Sequence, residues 1–421
     1  ALADVFVYVS LFVIWMMLYY HIFLMRGGYS YFLRYRRIHR LWSQNPPPLP
    51  TVSILIPAHN EELVIEDTLQ AMVQLHYPKD KLEVILINDC STDKTGQIAD
   101  AYAKRYPFIQ VVHTQPPFGG KGKSAALNHG FRRSTGDIIV VYDADNTPEP
   151  DAVSNLVLAL LKDKKAGVVV GKFRVINARK NWLTRFINVE TITFQWLAQA
   201  GRWFWFRMVT IPGTNFAIRR SVLEQVGGWD EQALAEDTEL SIRVYHAGYH
   251  IRFFPAAVTW EQEPETWKVW WKQRTRWVRG NLYVIGKYLF RFRQLHNKKV
   301  LLDLFYFLCT YILLFGGILT SHAMLLASLF GLVQIKMGLV SYVLLSLGFL
   351  LYMTQSLLAL SLENQLTVKN GMAAFLMYCM YTQMWVALVA VSVCLETKRL
   401  FLRQDMKWYK TERFDREVHR S

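Results

Sequence analysis

The sequence predicts an α/β domain built on a mostly parallel sheet and inserted between membrane-spanning helices. Three observations predict it. Hydrophobic residues fill 52% of the 421 positions, a high share for a soluble chain of this length. Many of them gather in long uncharged stretches at the two ends of the chain. Between those stretches, short continuous apolar runs alternate with helical segments, the pattern of strands covered on both faces.

Residues 2–25 hold one acid, Asp4, and no lysine or arginine, so they can span ~30 Å of hydrocarbon. Arg26, Arg34, Arg36, Arg37 and Arg40 come next. A cleaved leader would carry its basic residues before the apolar core, so a retained anchor is expected. Residues 26–50 then read as a basic juxtamembrane segment ending in the rigid spacer Pro46–Pro50 (PPPLP).

Residues 51–280 read as the soluble domain. TVSILIPAHNEE predicts a strand ending at Pro57 and a helix from Glu61. KLEVILINDCSTDKTG predicts a second strand ending at Asp89, with a helix start at Ser91–Lys94. GDIIVVYDADNT gives a third ending at Asp143, and AGVVVG a fourth. Ligands bind such sheets outside the carboxyl ends of the strands. His59, Asn60, Glu61, Asp89, Asp143 and Asp145 collect there.

Residues 281–299 alternate apolar and basic positions at helical spacing. They read as an interfacial helix on the membrane, or as an ordinary amphipathic helix of the domain. Residues 300–397 form a C-terminal membrane region of three or four spans, in which Val300–Val333 is long for one span and short for two. Gly316–Gly317 with Ser321–His322 marks either a turn between two short spans or a bend. Residues 338–362 and 372–395 read as single spans. A cytoplasmic domain and a cytoplasmic basic tail at 398–421 require an even number of spans between them. That favours two in the first block and five in all.

The net charge of +15 would suit nucleic acid, but its placement argues otherwise. The positive residues cluster at Arg26–Arg40, Arg291–Lys299 and Lys398–Arg413, each beside an apolar block. Such flanks mark the cytoplasmic face of a multi-pass cell-membrane protein and attract anionic lipid headgroups. Cys90, Cys309, Cys379 and Cys394 lack metal-ligand spacing and read as reduced thiols.

The chemistry-bearing residues lie in the soluble domain. Asp143 and Asp145 (DAD) are expected on one side of a strand end, as residues i and i+2 share a face. Their hard oxygens suit Mg²⁺ or Mn²⁺ held jointly with substrate phosphates. GGKGKSAALN lacks the Walker spacing. Its Lys123 opens a helix and either meets phosphate there or is a solvated surface lysine. Glu236 and Asp237 (AEDTEL) stand at a helix start, where capping alone would account for acids. The loops PGTNFAIRR (Pro212–Arg220) and GGWDE (Gly227–Glu231) carry glycines that let backbone approach a ligand.

The ordered set PAHNEE, INDCSTDKT, GKSAALN, DAD, PGTNFAIRR, AED and QRTRW resembles the processive family 2 glycosyltransferases. That group contains cellulose, chitin, hyaluronan and poly-N-acetylglucosamine synthases. The resemblance covers Val52–Gly280 and the flanking membrane segments. It departs at Ala235, where the family usually has threonine.

The resemblance implies a GT-A-type domain and an inverting transfer from a UDP-sugar to a growing polysaccharide that crosses the membrane. It places Asn60, Glu61 and Asp89 on the uridine. Asp143 and Asp145 fall on the diphosphate and its divalent ion, with Lys123 near the nucleotide. It makes Asp237 the general base beside Glu236. It also puts Gln273, Arg276 and Trp277, the QxxRW positions, at the acceptor site, with Arg276 reaching the diphosphate and Trp277 stacking on the terminal sugar. Arg274 and Thr275 fill the variable positions. The tail KWYKTER (Lys407–Arg413) looks like those of bacterial poly-N-acetylglucosamine synthases, which points to UDP-N-acetylglucosamine, with hyaluronan, chitin and β-glucan synthesis as alternatives. An accessory membrane subunit stays open as a partner. Trp203, Trp205, Trp267, Trp270 and Trp271 read as core or interface belt, or as a lining for the polymer path.

Overall fold

The computed structural model describes residues 2–233, 235–289, 298–332, 339–402 and 414. Its eight strands are β1 (Val52–Ala58), β2 (Leu82–Asp89), β3 (Ile109–Thr114), β4 (Ile138–Val141), β5 (Thr147–Pro148), β6 (Ala166–Val175), β7 (Phe216–Arg219) and β8 (His250–Glu261). They form one sheet in the order β3-β2-β1-β4-β7-β6-β8-β5. β1, β2 and β4 pair in parallel as expected, and β3, which the sequence did not announce, adds to them in parallel beside β2. The second half departs from the expectation: β7 runs antiparallel between β4 and β6, and β5 antiparallel on β8. Only β6 and β8 are parallel there, so the sheet is mixed. Continuous apolar runs report burial on two faces and carry no information on strand direction.

Both faces are covered. Ile54, Ile56, Val84, Leu86 and Val140 point into one core with α2 (Ile65–Val73) and α5 (Ala152–Lys162). Leu55, Ile85, Ile87, Ile139 and Val141 point into the other. That second core also holds α6 (Trp182–Phe194), α7 (Ala200–Phe206), α9 (Glu236–His246) and α10 (Trp267–Leu289). It continues into the C-terminal helices through Leu360, Ala374 and Leu388. The remaining domain helices are α3 (Thr95–Arg105), α4 (Lys123–Arg133) and α8 (Arg220–Gln225).

The apolar ends differ from expectation in three places. First, α1 runs unbroken from Leu2 to Gln44, about 65 Å at ~1.5 Å per residue. The basic stretch is therefore helix, and the spacer begins only at residue 45. The reason is packing: Leu24 and Tyr31 are buried, Tyr31 Oη donates to Phe253 O at 2.6 Å, and Trp42 stacks on Phe254. Second, α11 (Lys298–Leu308) passes through a π turn at Cys309–Leu314 into α12 (Phe315–Leu329) without reversing. The predicted pair of short spans is one rod, because Gly317 lies against the α1 backbone at Ser10 instead of turning the chain. Third, residues 281–289 of the expected interfacial helix are the end of α10, and residues 290–297 lie outside the described residues.

After α13 (Leu339–Leu362) come α14 (Val368–Leu376), a π turn at Met377–Tyr381, and α15 (Thr382–Leu402). Among the described residues, four helical stretches are long and apolar enough to cross a membrane: Asp4–Gln44, Leu304–Leu329, Val343–Leu362 and Val368–Arg399. Five spans were expected. All four cysteines are free thiols.

Candidate active site

The polar residues converge at the carboxyl ends of β1, β2 and β4. Beyond β1 the chain enters the left-handed region at Asn60 (φ 53°). Asn60 Oδ1 accepts from Thr92 N at 2.7 Å, and Glu61 N donates to Thr95 Oγ1 at 2.7 Å. The two loops after β1 and β2 are thereby sewn together. Asp89, at the end of β2, accepts from Thr114 Oγ1 at 2.6 Å and from Gly120 N at 2.8 Å.

Asp143 and Asp145 lie beyond the end of β4 in a turn closed by Asn146 N donating to Asp143 O at 3.0 Å. They were expected to share a strand face. They lie instead in a turn past the strand's end, with Asp145 4% exposed and Asp143 more open. Thr214 holds this turn, since its Oγ1 accepts from Asp143 N at 3.0 Å and it bonds Asn146 Oδ1.

Lys123 is not a solvated surface lysine. Its ammonium lies 2.6 Å from Asp143 Oδ1, 3.6 Å from Glu236 Oε1 and 2.9 Å from Gly213 O. Burial alone would lower its pKa, but the carboxylates of Asp143 and Glu236 outweigh that and raise it, so the amine stays charged. Glu236 and Asp237 open α9, with Thr238 N donating to Asp237 Oδ1 at 2.7 Å. Burial and then the neighbouring Glu236 push the Asp237 carboxyl up to about 7, against the pull of Lys123. The backbone facing it is Gly213 (φ 89°), where a Cβ would stand 3.1 Å from Asp237 Oδ2.

Helix α10 brings the QxxRW residues to the same place. Gly280 packs so closely on Ala235 that a Cβ would meet the Ala235 Cβ at 2.8 Å. Thr238 Oγ1 bonds Asn281 Oδ1 at 3.1 Å. These contacts flank Asp237 on both sides, and Trp277 and Arg276 lie one turn back along α10 from Gly280. Trp277 is 41% exposed, while Gln273 is buried. The α9–α10 contacts are what relate these residues to Asp237.

Sequence reasoning missed Arg274. It is 1% exposed, with its guanidinium 3.4 Å from Glu190, 3.8 Å from Glu263 and 3.9 Å above the centre of the Trp277 ring. Burial opposes its charge, but Glu190 and then Glu263 raise its pKa above the usual arginine value. Glu190 accepts from Tyr381 Oη, which itself accepts from Trp270 Nε1 at 2.9 Å. Glu261, at the end of β8, was missed too. Burial, then Glu263, Asp145 and Asp143, push its carboxyl well above the usual range. Trp203 is a core residue at 1% exposure, and Trp205 stacks on Phe23 of α1 and donates to Phe23 O. Trp203, so enclosed, lines no path.

Residues 47–280 match the glycosyltransferase-like family 2. The probable glycosyltransferase YdaM of Bacillus subtilis is 57% identical over 409 residues, 97% of each chain. The poly-β-1,6-N-acetyl-D-glucosamine synthase of Staphylococcus aureus is 30% identical over 259 residues, 61% of each. Among solved structures, a mannosyltransferase of Pyrobaculum calidifontis in complex with GDP-mannose and Mn²⁺ superposes with a TM-score of 0.53 at 22% identity. That superposition covers 86% of this chain and 99% of the other. At that identity it speaks for the fold.

Proposed function

The chain belongs to glycosyltransferase family 2, and we propose that it is a membrane-embedded, inverting β-glycosyltransferase that extends a polysaccharide from a UDP-sugar and passes it across the membrane. One observation carries this reading. A carboxyl raised to about 7, Asp237, lies beside Lys123, which pairs with Asp143 and Glu236, and the helix bearing Trp277 docks beside it.

Asp237 takes the proton of the acceptor hydroxyl as that oxygen attacks the anomeric carbon and the bond to UDP breaks. Attack opposite the leaving group turns an α-linked donor into a β-linkage. Asn60, Glu61 and Asp89 hold the uridine, and Arg276 grips the diphosphate. Trp277 stacks on the apolar face of the terminal sugar, with Gln273 beside it. Lys123 keeps Glu236 and Asp143 neutralised near the base.

The residues present fit a divalent cation. The Glu261 carboxyl is raised first by burial and then by the negative charge of Glu263, Asp145 and Asp143, which gather beside it. Among the described residues no group of three or more His, Cys, Asp or Glu could hold a metal ion. Asp145 and Asp143 would therefore share Mg²⁺ or Mn²⁺ with the donor's phosphates. Bound there, the ion would neutralise the charge gathering on the departing diphosphate.

UDP-N-acetylglucosamine is the proposed donor, supported by the Staphylococcus aureus relative and the KWYKTER tail. Incubating the purified protein with each UDP-sugar and Mg²⁺ or Mn²⁺ tests it, with UDP release measured and the product digested by linkage-specific hydrolases. A polymer from UDP-N-acetylglucosamine, lost in Asp237→Asn, is expected. Equal UDP release by Asp237→Asn would remove the base, and addition of a single sugar would remove processivity.

A further inference from the structure

Among the four candidate spans, the last behaves unlike the others. Helix α1 packs on α12 at Ser10–Gly317 and on α13 at Leu18–Gly348, and meets the catalytic domain through its second half, from Phe23 to Trp42. The stretch Val368–Arg399 instead touches the catalytic domain along its length. Just before it, Glu363 accepts from Lys172 at 2.7 Å and from Trp196 Nε1 at 2.8 Å. Near its start, Arg185 of α6 donates to Asn370 Oδ1 at 2.8 Å. At its middle, Tyr381 binds Glu190 and Trp270, and Trp385 packs edge-on to Trp270. Near its end, Arg279 of α10 donates to Glu396 at 3.3 Å and Arg399 lies over Tyr283.

The contacts advance together, from Trp270 with Tyr381 and Trp385 to Arg279 with Glu396 and Tyr283 with Arg399. α15 therefore runs alongside α10 in the same direction. From Asn370 to Glu396 the rise is about 39 Å at ~1.5 Å per residue, more than the ~30 Å of hydrocarbon. Were this helix upright in the bilayer, Arg185 and Arg279 of one soluble domain would stand on opposite sides. Lys268, Lys272, Arg274, Arg276, Arg279 and Lys287 of α10 would also be drawn into hydrocarbon, where each charge is costly.

The surface of the helix agrees. Asn370, Ala374, Met377, Tyr381, Leu388 and Glu396 are buried against the protein. Met372, Phe375, Met380, Val391 and Leu395 are exposed, and no charged residue falls between Lys369 and Glu396. One face is thus fastened to the domain, and the other is a long apolar stripe suited to the boundary between headgroups and acyl chains.

We infer that α14–α15 lies in the plane of the membrane beneath the catalytic domain, its outer stripe in contact with lipid, and does not cross. This rests on the membrane reading above. The chain then crosses three times, through α1, α11–α12 and α13. Phe414 lies on the catalytic side, its N and O pairing with the Gln262 side chain at 3.1 and 2.7 Å. Two crossings after the domain satisfy the parity that the basic flanks demand, which four spans would break.

Single cysteines in full-length protein, with the four native cysteines replaced by serine, test this in spheroplasts with a membrane-impermeant maleimide. Leu332→Cys, after α12, should label in intact cells. Thr135→Cys in the domain and Ser421→Cys in the tail should label only after permeabilisation. Labelling of Ser421→Cys together with Leu332→Cys would overturn the in-plane helix alone. Thr135→Cys and Leu332→Cys labelling on one side would instead remove the membrane reading, and the inference with it. Should the cysteine-free protein fail to fold, alkaline phosphatase fused to the C-terminus of the unaltered chain gives the same answer. It should be inactive, and an active fusion overturns the proposal. A nitroxide at Ala387 should be more accessible to water-soluble nickel than one at Leu350 of α13. Equal accessibility would refute the shallow placement.

Discussion

Gly213 offers the sharpest test of the catalytic geometry, because a control glycine exists elsewhere in the chain. Gly213 and Gly248 share φ of 89°. A Cβ at Gly248 meets nothing within 4 Å, whereas one at Gly213 falls 3.1 Å from Asp237 Oδ2 and 3.5 Å from Lys123 Nζ. Alanine at either position bears the same left-handed strain, ~1–2 kcal/mol, so both should lower Tm by a few degrees. Only Gly213→Ala also presses on the base.

Relieving the 3.1 Å contact to an ordinary one requires Asp237 to move by a few tenths of an ångström. A displacement of ~1 Å in a reacting group costs about 100-fold in rate, so a shift of this size should cost roughly three- to five-fold. Initial rates of UDP release at saturating donor, alongside thermal unfolding, measure both effects. The expected result is matched Tm losses with a rate loss confined to Gly213→Ala. Equal rates in the two variants would mean that Asp237 is not held against this backbone in the working enzyme, and the assignment of the base would fall with it.

The same contacts set the outcome of other perturbations. Since Asp237 must be ionised to accept a proton and its carboxyl is raised to about 7, kcat/KM should fall as pH drops through neutrality. Lys123→Met removes a cation that favours the ionised form, so that limb should move to higher pH; a limb unmoved in this variant would separate Lys123 from the base. Asp145→Ala should abolish metal-dependent UDP release, and activity restored by saturating Mn²⁺ would contradict a ligand role. Arg274→Met strips the guanidinium from Glu190 and Glu263, and breaking a buried pair costs ~3–5 kcal/mol, readable as a large drop in Tm. Arg274→Lys keeps the charge but loses the plane over Trp277, and should shorten the polymer with the donor KM unchanged. Unchanged product length would leave Arg274 a purely structural residue.

The half of the fold that sequence made legible is the half where local pattern carries global information. The strands β1, β2 and β4 announced themselves because each apolar run ends in a polar residue, whereas β3 was not read from the sequence. Asn60, Asp89 and Asp143 all emerge at one sheet edge. The antiparallel β7 was invisible, since Phe216–Arg219 is four residues long and its direction depends on strands far away in sequence. Asp143 and Asp145 were read as strand residues, which they are not. Alternation along a strand predicts a shared face, but the strand stops at Val141 and a turn sets the direction of the residues beyond it.

Arg274 shows a different kind of concealment. Its position was readable, since Trp270, Arg274 and Val278 fall at helical spacing on the buried face of α10. Such a stripe usually excludes a charge unless carboxylates await it. Glu190 and Glu263 come from 84 and 11 residues earlier, and no spacing rule ties them to it. The same holds for α14–α15. Counted by length and composition it is a span, because hydropathy measures what a segment tolerates on all sides. Asn370, Tyr381 and Glu396, spaced along its buried face, are what bind it to the domain. A helix that keeps polar residues on one side for partners in a soluble domain has an in-plane orientation written into it, legible only once those partners are located.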